Sequence, residues 1–116
     1  MRAAMHELGI TRNIIAIVGE AANGRPVRRV TLEVGKLSGV MCEAIVFCFD
    51  TVAEGTPLQG ASLEILEIAG RARCAVCAAE FEMPTLFTAC PCGSRRFTRL
   101  QGEELKIKSM ELMEAA

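Results

Sequence analysis

The chain has 116 residues, a formal net charge of −1, and a composition that is 51% hydrophobic but only 4% aromatic. That length holds one domain, or a small domain carrying a metal-stapled module, with an aliphatic, Met-containing core. The charge supplies no global pull toward nucleic acid or an anionic membrane, and no run approaches the roughly 20 apolar residues of a membrane span.

The opening Met1-Arg2-Ala3-Ala4 runs straight into His6 and Glu7, without the apolar stretch of a signal peptide. Six cysteines in such a chain point to a reducing cytoplasm and to thiolate–metal chemistry. A first helix is predicted from about Glu7 to Ala22, because Leu8, Ile14, Ile15, Val18 and Ala22 fall near helical spacing. Asn23-Gly24 and Pro26 stop it. Val27–Val34 alternates as a half-buried strand. The loop Gly35 to Gly39 (GKLSG) lacks the upstream glycine of a P-loop, so its Gly-Lys does not mark a nucleotide site.

A second helix is predicted over Cys42 to Ala53, with Ile45, Phe49 and Val52 on one face. Ala61–Ala69 reads as a second strand. Its apolar phase shifts at Leu66, which calls for burial on both faces or a bulge. Short segments at Arg71–Cys74, Ala79–Met83 and Phe97–Leu100 suit a small ribbon. Glu103–Met113 is a last strand with no place in that ribbon. It is therefore expected to return to the first sheet. The fold class is α+β: two helices on a small three-stranded sheet, with an inserted module. The expected boundaries are 1–69 for the first part of the main domain, 70–101 for the module and 102–116 for the returning strand.

The module carries Cys74, Cys77, Cys90 and Cys92, a C-x2-C pair and a C-x-C pair separated by twelve residues. Two tight turns each offering two thiolates make a tetrahedral S4 site, which suits Zn2+. Four thiolates leave no open position, so such a site is structural. Disulfides, or a rubredoxin-type iron site, are the alternatives. A ribbon of this size cannot bury enough surface alone, so metal binding would supply folding free energy.

Other groups offer chemistry. Met5-His6-Glu7 contains the only histidine. With Met5 as first residue, its amine, the following amides and the imidazole form a planar nitrogen set that selects Ni(II) or Cu(II). Glu7 is either a further ligand or an orienting group, and an acid in a first helical turn also suits the helix dipole alone. Cys42 and Cys48 sit on different helical faces and make poor partners for one ion. Cys48 reads as a small core residue, and Cys42 as a candidate redox thiol or ligand. Arg71, Arg73, Arg95, Arg96 and Arg99 cluster in the module with Phe81, Phe87 and Phe97. That set suits a solvated or protein-docking face, or a zinc-ribbon nucleic-acid module.

MHELGITRNII at the start, GKLSGV, FCFD, the four-cysteine module with its CGS and the tail QGEELKIKSMELM together resemble the HypA/HybF family of hydrogenase maturation factors. The resemblance runs nearly end to end. It implies a nickel metallochaperone and not an enzyme. It places Ni2+ on Met5, His6 and Glu7, and structural Zn2+ on Cys74, Cys77, Cys90 and Cys92. The implied partners are a nickel-binding GTPase, HypB, and the large subunit of a [NiFe]-hydrogenase; in some organisms the family also serves urease. Nucleic acid and membrane are not among them, and a monomer or weak homodimer is expected.

Three departures from the family pattern stand out. Met1 to Ala4 precede the motif, and a start at Met5 is the simpler account. Met41 stands where the family often has an acid, with Glu43 the nearest carboxylate. Cys90-Pro91-Cys92 is one residue shorter than the usual C-P-x-C, and Pro91 and Gly93 are expected to absorb the shorter turn while all four thiolates stay together.

Overall fold

The computed structural model describes residues 2–114, with side chains from His6 onward. Helix α1 spans Arg2–Ala21 and α2 spans Cys42–Ala53. Six strands accompany them: β1 Val27–Gly35, β2 Ser62–Ile68, β3 Arg71–Cys74, β4 Glu80–Glu82, β5 Phe97–Gln101 and β6 Leu105–Leu112. They form two three-stranded sheets, ordered β2-β1-β6 and β4-β3-β5. The last strand does return beside β1, as its lack of a place in the ribbon required.

The chain divides into two compact units. The first comprises the chain up to Leu32, Met41–Leu66, and the chain from Ile107. The second comprises Glu33–Val40 and Glu67–Lys106, so the GKLSG loop groups with the ribbon.

In the first unit, α1 buries Glu7, Thr11, Ile14, Ile15 and Val18, with Ala22 just beyond its end. The spacing is the i, i+4, i+7 stripe of a helix lying on a core. Glu7, not Leu8, fills the inward position of the first turns, while Leu8 is half-buried. The helix starts at Arg2 and not near Glu7, because Ala3 and Ala4 are strong helix formers and add a turn. Asn23 and Gly24 end the helix in the left-handed region, with Ala22 N–H still donating to the Val18 carbonyl at 2.8 Å.

Helix α2 buries Ile45, Phe49 and Ala53. Thr56 Oγ1 donates to the Ala53 carbonyl at 2.6 Å and closes its end. Strand β1 is central, and Val30, Leu32 and Val34 are each at most 1% exposed. Fully burying each such aliphatic side chain contributes about 1.5–3 kcal/mol. Thr31 is buried too, its hydroxyl donating to Glu64 Oε1 at 3.3 Å. The phase shift in β2 goes with partial cover of both consecutive residues Ile65 and Leu66. Leu63, Ile65, Leu66 and Ile68 are all only half-buried, because β2 is an edge strand.

In the second unit, β3 pairs antiparallel with β4 and β5, with a register shift between Arg71 and Ala72 on the β5 side. Its core is Leu37, Ala72, Cys74, Phe81, Met83 and Cys90, with Phe97 packed against it. Phe81 and Phe97 meet edge to face, with ring centroids 5.7 Å apart. Two of the three ribbon phenylalanines are thus consumed by packing, while Phe87 is 82% exposed. Among the described residues no helix is long and apolar enough to cross a membrane.

Candidate metal centres

The ribbon brings four sulfurs together. The ligand atoms of Cys74, Cys77, Cys90 and Cys92 all lie within 4.8 Å of one another. Cys74 Sγ is 3.7 Å from Cys92 Sγ, and Cys77 Sγ is 3.5 Å from Cys90 Sγ. None of the described cysteines is in a disulfide. Cys74 and Cys90 point into the core and are buried, while Cys77 and Cys92 face solvent.

Each pair sits on a turn whose backbone aims N–H groups at the first sulfur. Val76 N–H and Cys77 N–H donate to Cys74 Sγ at 3.3 and 3.5 Å. The turn closes with Ala78 N–H on the Cys74 carbonyl at 3.1 Å, Ala78 itself at φ 65°. In the shorter second turn only Cys92 N–H reaches Cys90 Sγ, at 3.5 Å. Gly93, at φ 93°, donates to the Cys90 carbonyl at 2.7 Å. The missing residue thus shortens the turn by one and removes one N–H···S bond, without expelling Cys92 from the cluster.

The electrostatics fit a divalent cation. Hydrogen bonds from the Cys77 and Val76 amides outweigh burial and bring the Cys74 thiol down to about 6. For Cys90 the Cys92 amide pulls the same way, but burial and the three neighbouring sulfurs outweigh it and push the thiol up to about 12. One thiolate forms readily and another is resisted, because like charges crowd one small volume. Zn2+ removes that conflict, and an all-sulfur tetrahedron is its preferred structural environment.

The arginine cluster is largely spent on local pairs. Arg71 and Arg73 reach Glu80 at 3.9 and 2.9 Å, and Arg99 reaches Glu103 at 2.8 Å. Arg95 Nη1 donates to the Phe87 carbonyl at 3.2 Å.

At the other expected site, His6 is exposed and Glu7 is completely buried. Glu7 Oε2 accepts the Met41 N–H at 2.6 Å. Glu7 Oε1 is buried with no hydrogen-bond partner among the described residues. The side chain of Met5 lies outside the described residues. Cys42 and Cys48 are both half-buried on α2. Sequence reasoning did not foresee the burial of Glu7 or its contact with residue 41, since the two are 34 positions apart.

The family described as "Hydrogenase/urease nickel incorporation, metallochaperone, hypA" matches residues 5–112. The chain belongs to the HypA family. The hydrogenase maturation factor HypA of Trichormus variabilis is 57% identical over 110 residues, covering 95% of this chain and 97% of that protein. HypA of Geobacter sulfurreducens is 43% identical, covering 93% and 99%. Among solved structures, the Ni metallochaperone HypA from Helicobacter pylori superposes with a TM-score of 0.63 at 23% identity, over 94% of this chain and 98% of that one. A second HypA solution structure gives 0.67 at 24% identity, over 94% and 97%. At those identities the two structures speak for the HypA fold alone.

Proposed function

We propose that this chain is a nickel metallochaperone for [NiFe]-hydrogenase maturation, carrying structural zinc on Cys74, Cys77, Cys90 and Cys92 and capturing Ni(II) at Met5-His6-Glu7. The observation that carries the reading is the closed four-sulfur cluster in a chain of the HypA family. A closed S4 site has no vacant position for substrate, so it holds the ribbon together and does no chemistry. The working metal therefore belongs elsewhere, and the chain needs no catalytic role.

The nickel donors would be the Met5 amine, the His6 amide and imidazole, and the Glu7 amide. In a helix running from Arg2, the amides of His6 and Glu7 donate four residues back. When Met5 is the first residue, those same amides belong to the first turn and have no intrahelical acceptor. They are then free to lose protons to a metal. Binding that needs proton loss is reversible by acid or by better ligands, as delivery requires.

The nickel GTPase HypB and the hydrogenase large subunit are the proposed partners. An exposed apolar strip on α2 supports protein docking: Val46 is 56% and Phe47 85% exposed. They lie between Glu43 and Asp50, in a stretch (37–70) with no Lys, Arg or His. Isothermal titration with nickel tests the site, comparing the Met5-start form with its His6→Ala variant. At least a tenfold loss, about 1.4 kcal/mol, is expected. Equal affinity would remove His6 from the site.

A further inference from the structure

Among the described residues, Glu7 is the only buried charged side chain. Its carbonyl accepts the Thr11 hydroxyl at 2.7 Å, and Thr11 is itself fully buried. Its carboxylate accepts the Met41 N–H at 2.6 Å. Met41 is the N-cap residue of α2, at φ −87° and ψ 103°, and its own side chain caps nothing. A carboxylate from α1 thus accepts the N-cap residue's own N–H and sets an anionic group at the positive end of α2. One residue earlier, His6 is exposed.

We propose that Glu7 is a positioning residue for nickel capture: its carboxylate clamps α1 to the start of α2, and its side-chain oxygens are not nickel donors. The inference rests on nickel binding at residues 5–7. Binding through deprotonated amides takes His6 and Glu7 out of helical hydrogen bonding, so the segment must refold around the metal. Something must stop that rearrangement from running up α1. Glu7 is buried and held there through its carbonyl and its carboxylate, whereas His6 is exposed. Giving Oε2 to nickel would strip the Met41 amide of its acceptor, and Oε1, unpartnered among the described residues, would have to leave a fully buried position to reach the ion. A planar nitrogen set on Ni(II) has no need of that oxygen.

Two variants separate clamp from ligand. Glu7→Ala removes the carboxylate. Met41→Pro removes only the N–H, at a residue whose φ of −87° is near proline's range. The measurements are nickel affinity, the nickel d–d absorption spectrum, and amide hydrogen exchange along α1, on the full chain and on the form starting at Met5. A clamp predicts that both variants weaken nickel by about 10- to 100-fold, as loss of an orienting partner does. It also predicts an unchanged spectrum, and faster exchange beyond residue 7 when nickel is added. If Glu7→Ala shifts the spectrum while Met41→Pro does not, Glu7 is a ligand and the clamp is wrong. Wild-type affinity in Glu7→Ala would equally overturn it. Failure of the nickel reading looks different: the unmodified Met5-start form would then bind no nickel, and the clamp would fall with it.

Discussion

Gly35 lies so tightly against the Gly102 carbonyl that a Cβ on Gly35 would overlap it. The close approach is held by backbone bonds on both sides. Gly35 N–H donates to the Glu104 carbonyl at 2.7 Å, and Leu37 N–H to the Gly102 carbonyl at 2.7 Å. Gly102 meets the requirement from its side with a φ of 118°. What reads as a loop motif is therefore the point where the second unit is tied at its base. Gly35→Ala cannot be absorbed by a side-chain rotation, since the obstacle is backbone. We expect a loss of about 3 kcal/mol or more, at the upper end of overpacking effects, read as a lowered urea midpoint. A midpoint within error of the parent would show that the base of the unit opens more easily than its hydrogen bonds imply.

Ala78 offers the opposite experiment. It closes the first cysteine turn at φ 65°, where an L residue with a Cβ is strained by roughly 1–2 kcal/mol. Glycine releases that strain but adds freedom to the unfolded chain, so Ala78→Gly should stabilise the zinc-loaded protein by a net ~0.5–1 kcal/mol. At the matching point of the second turn, Gly93 with φ 93° already has the permissive residue. Gly93→Ala should destabilise by a net ~0.5–1 kcal/mol on the same reckoning. Denaturant unfolding in excess zinc measures both signs, and two changes of the same sign would refute the strain argument.

The cysteine pattern was legible in the sequence because its chemistry is local: two thiols per turn, two turns, one ion. The returning strand was legible by elimination, since Glu103–Met113 had no place in the ribbon, and β6 occupies Leu105–Leu112 of it. Other features were not. The burial of Glu7 depends on a residue 34 positions away, and no spacing rule reports such a contact. Gly35 reads as the start of a loop, yet at 35 and at Gly70 the need is for room beside backbone or Leu37. In β2 the phase shift at Leu66 pointed to burial on both faces or a bulge, but did not report the edge position that leaves Ile65 and Leu66 half-covered.

Zinc uptake should depend on pH with a slope that changes near the Cys74 thiol. Thiols must be deprotonated to bind, so affinity rises with pH. Cys74 is down at about 6, and above that pH it brings no proton to the reaction. Below it, Cys74 is protonated and one more proton is displaced per zinc. Log affinity should therefore fall more steeply, by one unit per pH unit, once the pH drops through about 6. Cys90, pushed up to about 12, carries its proton at every accessible pH and always contributes to the release. Titrations in two buffers of different ionisation enthalpy count these protons. A proton count that stays constant across pH 6 would mean that the Val76 and Cys77 amides do not stabilise the Cys74 thiolate.

Removing zinc should unfold the second unit and spare the first. The second unit's core is built on two of the sulfurs themselves, Cys74 and Cys90, packed with Leu37, Ala72, Phe81 and Met83. Without the ion, the Cys74 and Cys90 sulfurs lie 3.7 and 3.5 Å from the Cys92 and Cys77 sulfurs respectively, with no cation to hold the four together. The first unit instead rests on Val30, Leu32, Ile45, Phe49 and Leu58, none of them more than 3% exposed and none a metal ligand. Chelation should therefore abolish amide protection in β3, β4 and β5, while α1, α2 and the first half of β1 keep theirs. Hydrogen exchange with and without chelator reads both units in one sample. Loss of protection across the whole chain would show that the first unit draws its stability from the zinc ribbon and cannot stand on its aliphatic core.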